Sequence, residues 1–337
     1  MEAQKIILHV GPHKTGSTAI QKALTLGRDR LAENGVLYPK TGFSDFGHHQ
    51  LVDAARGWIR DFDTDALREE MSGYRQVIIS TENAVHLPLD KLTVLREMFD
   101  QNSNVMVVYY LRRYPDLWAS HWQELIKHGE TLTFYEYLCR ASGVLPSSHR
   151  IVPNQFDQLS RLAQVFGREN ITIIGYDHLR GAGVDFAEYF LEKTLGSAMD
   201  GFATGRVNES APAWHIELVR QLNAIYRNNT GKIASYKLRM KVFHDLRGAT
   251  IPFADEFSEV YGSISVPCSI SNDSLPVVTL QSEVLNFEDR ILEASSAVPS
   301  FRSSSTKTVS VFDMPAFGLE RLKGALVEYY RENVTEW

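Results

Sequence analysis

The chain has little cysteine, no long apolar run and no excess of positive charge, and each shortage excludes a class of protein. Two cysteines, Cys139 and Cys268, cannot build a disulfide framework, and no Cys/His spacing predicts zinc, so we interpret both as buried structural thiols. The first apolar run, residues 6–10, is too short for a signal peptide or a membrane span, and no later run approaches spanning length, which predicts a cytoplasmic protein. A formal net charge of −6 argues against nucleic-acid binding, because that needs a broad basic face.

The sequence does have an alternation of apolar runs and helical patterns. Its 44% hydrophobic and 23% charged residues are the balance of a globular protein. Four short apolar runs predict buried parallel strands: residues 6–10, 77–79, 105–111 and 171–174. Helical periodicity separates them, at residues 20–34, 89–99, 117–127 and 156–166. This order predicts an α/β fold for residues 5–200, in which helices flank a parallel sheet on both faces in three layers.

The pattern weakens in the C-terminal part of the chain. Residues 213–227 and 319–330 predict amphipathic helices, and the Ser/Thr-rich stretch 302–310 predicts a loop. No internal repeat and no linker requires a second domain. We therefore predict one domain over residues 1–337, with a mostly helical C-terminal part at 205–337.

The segment Gly11-Pro12-His13-Lys14-Thr15-Gly16-Ser17-Thr18, between the first strand and the first helix, has the chemistry of a phosphate cradle. A strand that runs into such a loop presents successive backbone N–H groups, and the next helix adds its positive N-terminal end. The P-loop pattern of nucleoside triphosphatases puts a lysine directly after the second glycine, whereas here Ser17 follows Gly16 and Lys14 precedes it by two positions. The loop predicts an anion site of a different kind, and a tight turn with an incidental lysine is the structural alternative.

A second candidate anion site follows the strand at 105–111. Arg112 stands at the strand end, and Ser120 lies eight positions later in a helix that Pro115 helps to open. A guanidinium and a hydroxyl that converge there can hold a terminal phosphate. The structural alternative is a solvated arginine and a serine on a helix surface.

Together these segments resemble the sulfotransferases that use 3′-phosphoadenosine 5′-phosphosulfate (PAPS), and the chain looks most like bacterial members of that family over residues 5 to about 200. Residues 11–18 resemble the family's 5′-phosphosulfate loop, and Arg112 with Ser120 resembles its 3′-phosphate site. Residues 132–138 and 171–179 are similar to further family segments of structural character. The resemblance implies a P-loop-related fold, PAPS as co-substrate without a metal, and transfer of a sulfuryl group to a hydroxyl or an amine.

The resemblance also implies roles for individual residues. Nine residues are expected at the donor: His13, Lys14, Thr15, Gly16, Ser17, Thr18, Arg112, Ser120 and Arg206. Of these, Lys14 would neutralise the charge that develops on the departing phosphate. Arg206, just before the helix at 213–227, would belong to a basic loop that closes over the donor.

The acceptor hydroxyl needs a general base, typically a histidine or a carboxylate. Glu82 follows the second strand, at the carboxyl edge where ligands bind in such sheets. His48 and His49 lie in a loop that leads into a helix, and family members use either histidine or glutamate. His49 is slightly preferred, Glu82 is close behind it, and His48 stays open.

The acceptor itself has no readable motif. Residues 225–310 carry basic and aromatic side chains that could line a pocket or form a solvated helix face, and the C-terminal part could bind the acceptor or act as a lid. We expect a small-molecule, carbohydrate or lipid-linked acceptor, and the sequence does not determine the oligomeric state. Two alternatives stay open: a kinase-like nucleotide enzyme, and a protein that binds PAPS or its product PAP without catalysis.

Overall fold

The computed structural model describes residues 3–141, 153–196, 199, 201–203, 211–247, 257–259, 261, 266–311, 324, 327 and 328. The chain forms two compact units, each discontinuous in sequence. The first unit comprises residues 1–113, 154–207 and 277–303, and the second comprises residues 114–153, 208–276 and 304–337. Residues 114–153 of the predicted α/β core thus belong to the second unit, and the single domain over the whole chain stays a prediction.

The strands are β1 Lys5–Gly11, β2 Val36–Leu37, β3 Gln76–Ser80, β4 Asn104–Leu111, β5 Ile171–Gly175, β6 Val266–Ser271 and β7 Thr306–Val311. The α-helices of the described residues include α1 Ser17–Leu26, α2 Arg28–Glu33, α3 His49–Arg56, α4 Thr64–Met71, α5 Leu89–Glu97, α6 Tyr114–Lys127, α7 Phe134–Ala141, α8 Gln155–Phe166, α9 Tyr176–Ala182, α10 Phe186–Leu195, α11 Ala213–Thr230, α12 Tyr236–Arg247, α13 Leu275–Val284 and α14 Ala294–Arg302. A short 3-10 helix, Glu82–His86, follows β3.

The first unit is built on a five-stranded parallel sheet of order β2-β3-β1-β4-β5. Helices flank this sheet, so the predicted α/β fold with a parallel sheet is confirmed. The four predicted strands correspond to β1, β3, β4 and β5, whose apolar residues are almost wholly buried because the sheet is covered on both faces. The edge strand β2 spans two residues, too few to show a period in the sequence.

The helical pattern predicted at residues 20–34 is interrupted in the structure. It forms two helices, α1 and α2, on either side of Gly27. A Cβ atom at position 27 would lie 2.1 Å from the ring of Phe202, so only glycine lets this ring pack against the chain here. Glycine at the break thus accommodates a ring from a distant part of the chain, a contact that periodicity within the segment does not reveal.

The second unit combines helices with a small antiparallel sheet. Helices α6, α7, α11 and α12 belong to it, and α11 confirms the helix predicted at 213–227. The predicted loop at 302–310 is wrong, because residues 306–311 form β7, which pairs with β6 from Ser271–Thr306 to Val266–Val311. The partner strand lies some 35 positions earlier in the chain, so local Ser/Thr composition does not disclose the pairing.

Two predictions fall outside the described residues. They are Arg206 and, apart from positions 324, 327 and 328, the helix at 319–330. Within the part of the chain that is described, no helix is both long and apolar enough to cross a lipid bilayer.

Candidate active site

The loop between β1 and α1, residues 11–18, is here called the donor loop. Gly16 precedes the first residue of α1 in a left-handed conformation, with φ of 86°, and caps the helix with no side-chain hydrogen bond. The first N–H groups of a helix have no partner within it, so the start of α1 presents donors and a positive dipole end. Lys14 is also left-handed, with φ of 68°, which is uncommon for a residue with a side chain.

Two hydroxyl groups hold the donor loop from within. Buried Thr15 donates its hydroxyl hydrogen to the carbonyl of Pro12, and the Ser17 hydroxyl lies 3.5 Å from the same oxygen. Thr18 is exposed at the helix start. Of the three hydroxyl residues predicted at the donor, Thr15 and Ser17 therefore shape the loop, and the Thr18 side chain lies open to solvent.

Arg112 reaches the donor loop from the end of β4. Its guanidinium donates to the carbonyl of Lys14 and lies 4.8 Å from the ring centroid of Tyr176. The side chain of Gln155 fixes the Arg112 backbone, since it accepts from the amide at 3.0 Å and donates to the carbonyl at 2.7 Å. Tyr176 in turn stacks on Phe186, with ring centroids 5.0 Å apart. The structure therefore joins two of the predicted donor residues, Arg112 and Lys14, in one site.

Ser120, the predicted partner of Arg112, is half-buried in α6. This helix belongs to the second unit, whereas Arg112 is in the first. The shared 3′-phosphate site of these two residues stays a prediction.

Glu82 lies directly beside the donor loop. A Cβ atom at Gly11 would lie 2.7 Å from the Cβ of Glu82, so glycine is needed for this approach. One carboxylate oxygen accepts a hydrogen bond from Gln21 at 2.5 Å, and the other lies 3.9 Å from Nδ1 of His13. Burial acts to raise the pKa of Glu82, but the imidazoles of His13 and His49 and the Gln21 hydrogen bond outweigh it, and the pKa lies below its usual range. The carboxylate is therefore ionised at neutral pH.

Asn83 connects the two histidines nearest to Glu82. Its Oδ1 lies 3.1 Å from Nε2 of His13, and its Nδ2 lies 3.3 Å from Nδ1 of His49. In this orientation of the amide, His13 donates from Nε2 and His49 accepts at Nδ1. The hydroxyl of Thr81 lies 3.2 Å from the same His49 nitrogen. A neutral His49 therefore carries its proton on Nε2.

His48 has a different role from its neighbour. Its side chain is fully buried, with Nε2 3.0 Å from the carbonyl of Pro39 and Nδ1 accepting from the Ser80 amide at 3.1 Å. Burial lowers the pKa of His48 to about 4. Both ring nitrogens are engaged with backbone groups, so His48 braces the loop before α3 and has no lone pair left for a proton from a substrate.

Ser80, the last residue of β3, links this brace to the strand beside it. Its hydroxyl lies 2.8 Å from Nδ1 of buried His9. The Ser80 carbonyl accepts from the amide of His48 at 2.7 Å. One buried serine thus ties β1, the loop before α3 and the segment that carries Glu82.

Sequence reasoning missed the supporting residues Gln21, Ser80 and Asn83. Gln21 had a usable signal, because it stands four positions after Ser17 and therefore shares a face of α1 with it. For Ser80 and Asn83 we find no such signal, since their partners lie at distant positions in the chain.

No group of three His, Cys, Asp or Glu side chains that could hold a metal ion occurs among the described residues. The predicted candidates His13, Lys14, His49, Glu82 and Arg112 do lie at the carboxyl edge of one sheet, where β1, β3 and β4 end. This arrangement combines donors for an anion with an ionised carboxylate and two imidazoles. It can bind an anionic group and accept a proton beside it.

Comparisons with known proteins add little information about the function of this chain. No protein family matches the sequence, and no curated protein matches it. Among solved structures, a sulfotransferase from Alicyclobacillus acidocaldarius is similar with a TM-score of 0.41 and 18% identity, over 65% of this chain and 90% of that chain. A likeness of this degree carries no functional argument.

Proposed function

We propose that this protein is a sulfotransferase that moves a sulfuryl group from PAPS to a hydroxyl or amine of a small-molecule, carbohydrate or lipid-linked acceptor. The observation that carries the proposal is the donor loop, where the N-terminal end of α1, Lys14 and the guanidinium of Arg112 meet beside ionised Glu82. A lysine within the loop, in place of one after Gly16, favours a phosphosulfate over a nucleoside triphosphate.

The donor would lie with its 5′-phosphosulfate over the start of α1. Backbone N–H groups of residues 15–18 would bind the phosphate oxygens, and Lys14 would balance the charge that grows on them. Arg112 and Ser120 would hold the 3′-phosphate, as the sequence spacing suggests. Arg206 would close over the donor.

In the chemical step, the acceptor oxygen forms a bond to sulfur while the bond from sulfur to the 5′-phosphate oxygen breaks. PAP leaves with the electron pair of that bond, and the acceptor proton passes to a base. Such an in-line transfer needs groups that stabilise charge more than covalent chemistry from the protein. The positive donor loop on the leaving side and Glu82 on the acceptor side meet this need.

The hydrogen bonds favour Glu82 as the base and reverse the slight preference for His49. Glu82 is ionised and half-buried, whereas Nδ1 of His49 already accepts from Asn83. With its proton on Nε2, His49 would instead donate a hydrogen bond to a sulfuryl oxygen. His13, between Glu82 and Asn83, would fix the side chain orientation of both.

The first test is thermal unfolding of the purified protein with PAP, with PAPS, or with ATP and magnesium. A ligand at 100 times its dissociation constant that binds only the folded protein adds about 2.7 kcal/mol to its stability. We expect PAP and PAPS to raise the melting temperature and ATP with magnesium to leave it unchanged. A shift with ATP and magnesium alone would support the kinase-like alternative in place of this proposal.

The second test measures transfer of labelled sulfate from PAPS to a panel of hydroxyl and amine acceptors. Lys14→Ala should lower the rate at least about 100-fold, because it removes a charge from the leaving side. Lys91→Ala, at a partly exposed position in α5, is the matched control and should keep full activity. Binding of PAP without transfer to any acceptor by the unaltered protein would identify the non-catalytic alternative.

The third test separates the two candidate bases by their pH profiles. If Glu82 is the base, the rate stays constant as pH falls from 8 to 6, because the pKa of Glu82 lies below its usual range. An imidazole base instead predicts a rate that falls within this range, because histidine is the side chain that changes its charge near neutral pH. Glu82→Gln should then abolish transfer while His49→Gln keeps part of it, and the opposite order would assign the base to His49.

A further inference from the structure

The two cysteines of the chain both belong to the second unit and lie on different elements. Cys139 is in helix α7 and Cys268 is in strand β6. Both side chains are half-buried, whereas the sequence interpretation had them as buried structural thiols. Partial exposure means that a small oxidant in solution can reach them.

The pleat of β6 points Cys268 towards the interior of the unit. Side chains alternate along a strand; Ile270, on the same face as Cys268, is buried, whereas Ser269 between them is exposed. The residue paired with Cys268 on β7 is Val309, which is also buried. Helix α7 packs against both strands of this sheet. Cys268 therefore lies on the face that receives the helix carrying Cys139.

The electrostatics of Tyr135 agree with this packing of α7 on the sheet. Tyr135 stands one turn before Cys139 in α7, and its pKa is raised mainly by Cys139 and more weakly by Cys268. The pKa of Cys268 is raised by burial and further by Cys139. Tyr135, Cys139 and Cys268 thus form one group, here called the thiol cluster. Both cysteines of a 337-residue chain occur in it.

We propose that Cys139 and Cys268 are a site of reversible oxidation at which a disulfide forms within the second unit. With hydrogen peroxide, one thiolate attacks an oxygen and becomes a sulfenic acid with loss of hydroxide, and the second thiol displaces water from it to close the disulfide. With a small disulfide such as oxidised glutathione, two exchange steps release two small thiols. In both routes two cysteine thiols are oxidised together and two electrons pass to the named oxidant.

The test uses the full-length protein, oxidised with glutathione disulfide, quenched with a thiol-alkylating reagent and weighed intact by mass spectrometry. Before oxidation each chain should take two alkyl groups. Afterwards the monomer should take none, and a reductant should restore both. Since the chain has only these two cysteines, any disulfide within it joins Cys139 to Cys268.

Single substitutions give the matched controls. Cys139→Ser and Cys268→Ser should each form no internal disulfide and, after reduction, take one alkyl group. The cross-link closes a loop of about 130 residues and should raise the melting temperature of the oxidised protein by several degrees, reversibly with reductant.

Oxidation in the folded state should be faster than in urea, where the thiols meet only by chance. Oxidised protein that keeps two reactive thiols, that links only between chains, or that closes the disulfide only in urea would each overturn the proposal. The outcome does not depend on PAPS, so it stands or falls separately from the sulfotransferase function.

Discussion

The two units place their buried polar side chains differently. In the first unit they collect where β1 and β3 end, at His9, Ser80 and His48, and bond to each other and to loop backbone. In the second unit Glu217 and Arg220 pair within one helix, α11, through contacts of 2.6 and 2.8 Å. Arg220 also donates to the carbonyl of Thr131 at 3.0 Å.

This difference separates two uses of the same residue types. The ion pair of the second unit is satisfied inside the protein and fixes α11 to the segment after α6. The polar residues of the first unit lie at the strand ends beside the segment that carries Glu82, and Glu82 itself packs against Gly11 of the donor loop and bonds Gln21. Burial of a charged or titratable group therefore indicates function only where the group also borders an open ligand-binding edge.

Of the substitutions that test this comparison, we expect the one at Glu217 to lower the stability of the protein most. Its side chain is 0% exposed, so Glu217→Ala leaves the Arg220 charge buried without its carboxylate. We expect a loss of about 3–5 kcal/mol in the free energy of unfolding, measured by urea denaturation. The control is Asp65→Ala, since the Asp65 carboxylate is 94% exposed in its pair with Arg68 and should matter by less than about 1 kcal/mol. Equal losses of unfolding free energy in the two variants would show that the buried pair stabilises the protein no more than the exposed pair does.

The second largest effect is a loss of stability at acid pH, which we expect from two buried histidines of the first unit. Burial lowers the pKa of His9, despite the opposing charge of Glu82, and that of His48 to about 4 each. The unfolded chain binds these two protons near pH 6.5. Stability is therefore complete above pH 6.5 and is lost as the pH falls towards 4. Between pH 7 and pH 5 each histidine should cost about 2 kcal/mol of unfolding free energy.

Substitution tests the assignment of this acid sensitivity. His9→Asn should remove about half of the loss between pH 7 and pH 5, since one of the two titrating groups is gone. His128→Gln, whose side chain is 55% exposed in the second unit, should leave the loss unchanged. An unchanged slope in the His9 variant would mean that other groups govern acid unfolding.

The smallest effect on stability is expected at Ser80. A substitution there can separate a purely structural role of a buried polar side chain from a role in positioning Glu82. Ser80→Ala removes the hydroxyl that meets Nδ1 of buried His9 and should cost about 1–3 kcal/mol in the free energy of unfolding. If the serine also positions Glu82, the transfer rate should fall at saturating PAPS while the PAP-induced melting shift is kept. Ser72→Ala, at an exposed hydroxyl bonded to the Glu69 carbonyl, is the control and should change neither quantity. Full activity of the Ser80 variant would show that this serine stabilises the fold but does not position Glu82 for transfer.

The sequence alone determined the parts of the fold that depend on local pattern. Apolar runs of strand length became β1, β3, β4 and β5, because a strand covered on both faces has to be apolar throughout. The donor loop could be predicted from the sequence for a similar reason. Its glycine, lysine and hydroxyl residues are neighbours in the chain, between a strand and a helix, so the pattern is visible without the fold.

Only the tertiary structure decided which distant residues meet. The guanidinium of Arg112 bonds the Lys14 carbonyl across 98 positions, Asn83 joins His13 to His49, and β7 pairs with a strand far from it in the chain. Composition and periodicity are local properties, whereas each of these contacts is made between segments that approach only when the sheet and its helices pack. The choice between His48 and His49 illustrates the point: adjacent in sequence, one is buried with both nitrogens bonded to backbone groups, and the other lies beside Glu82 at the open edge of the sheet.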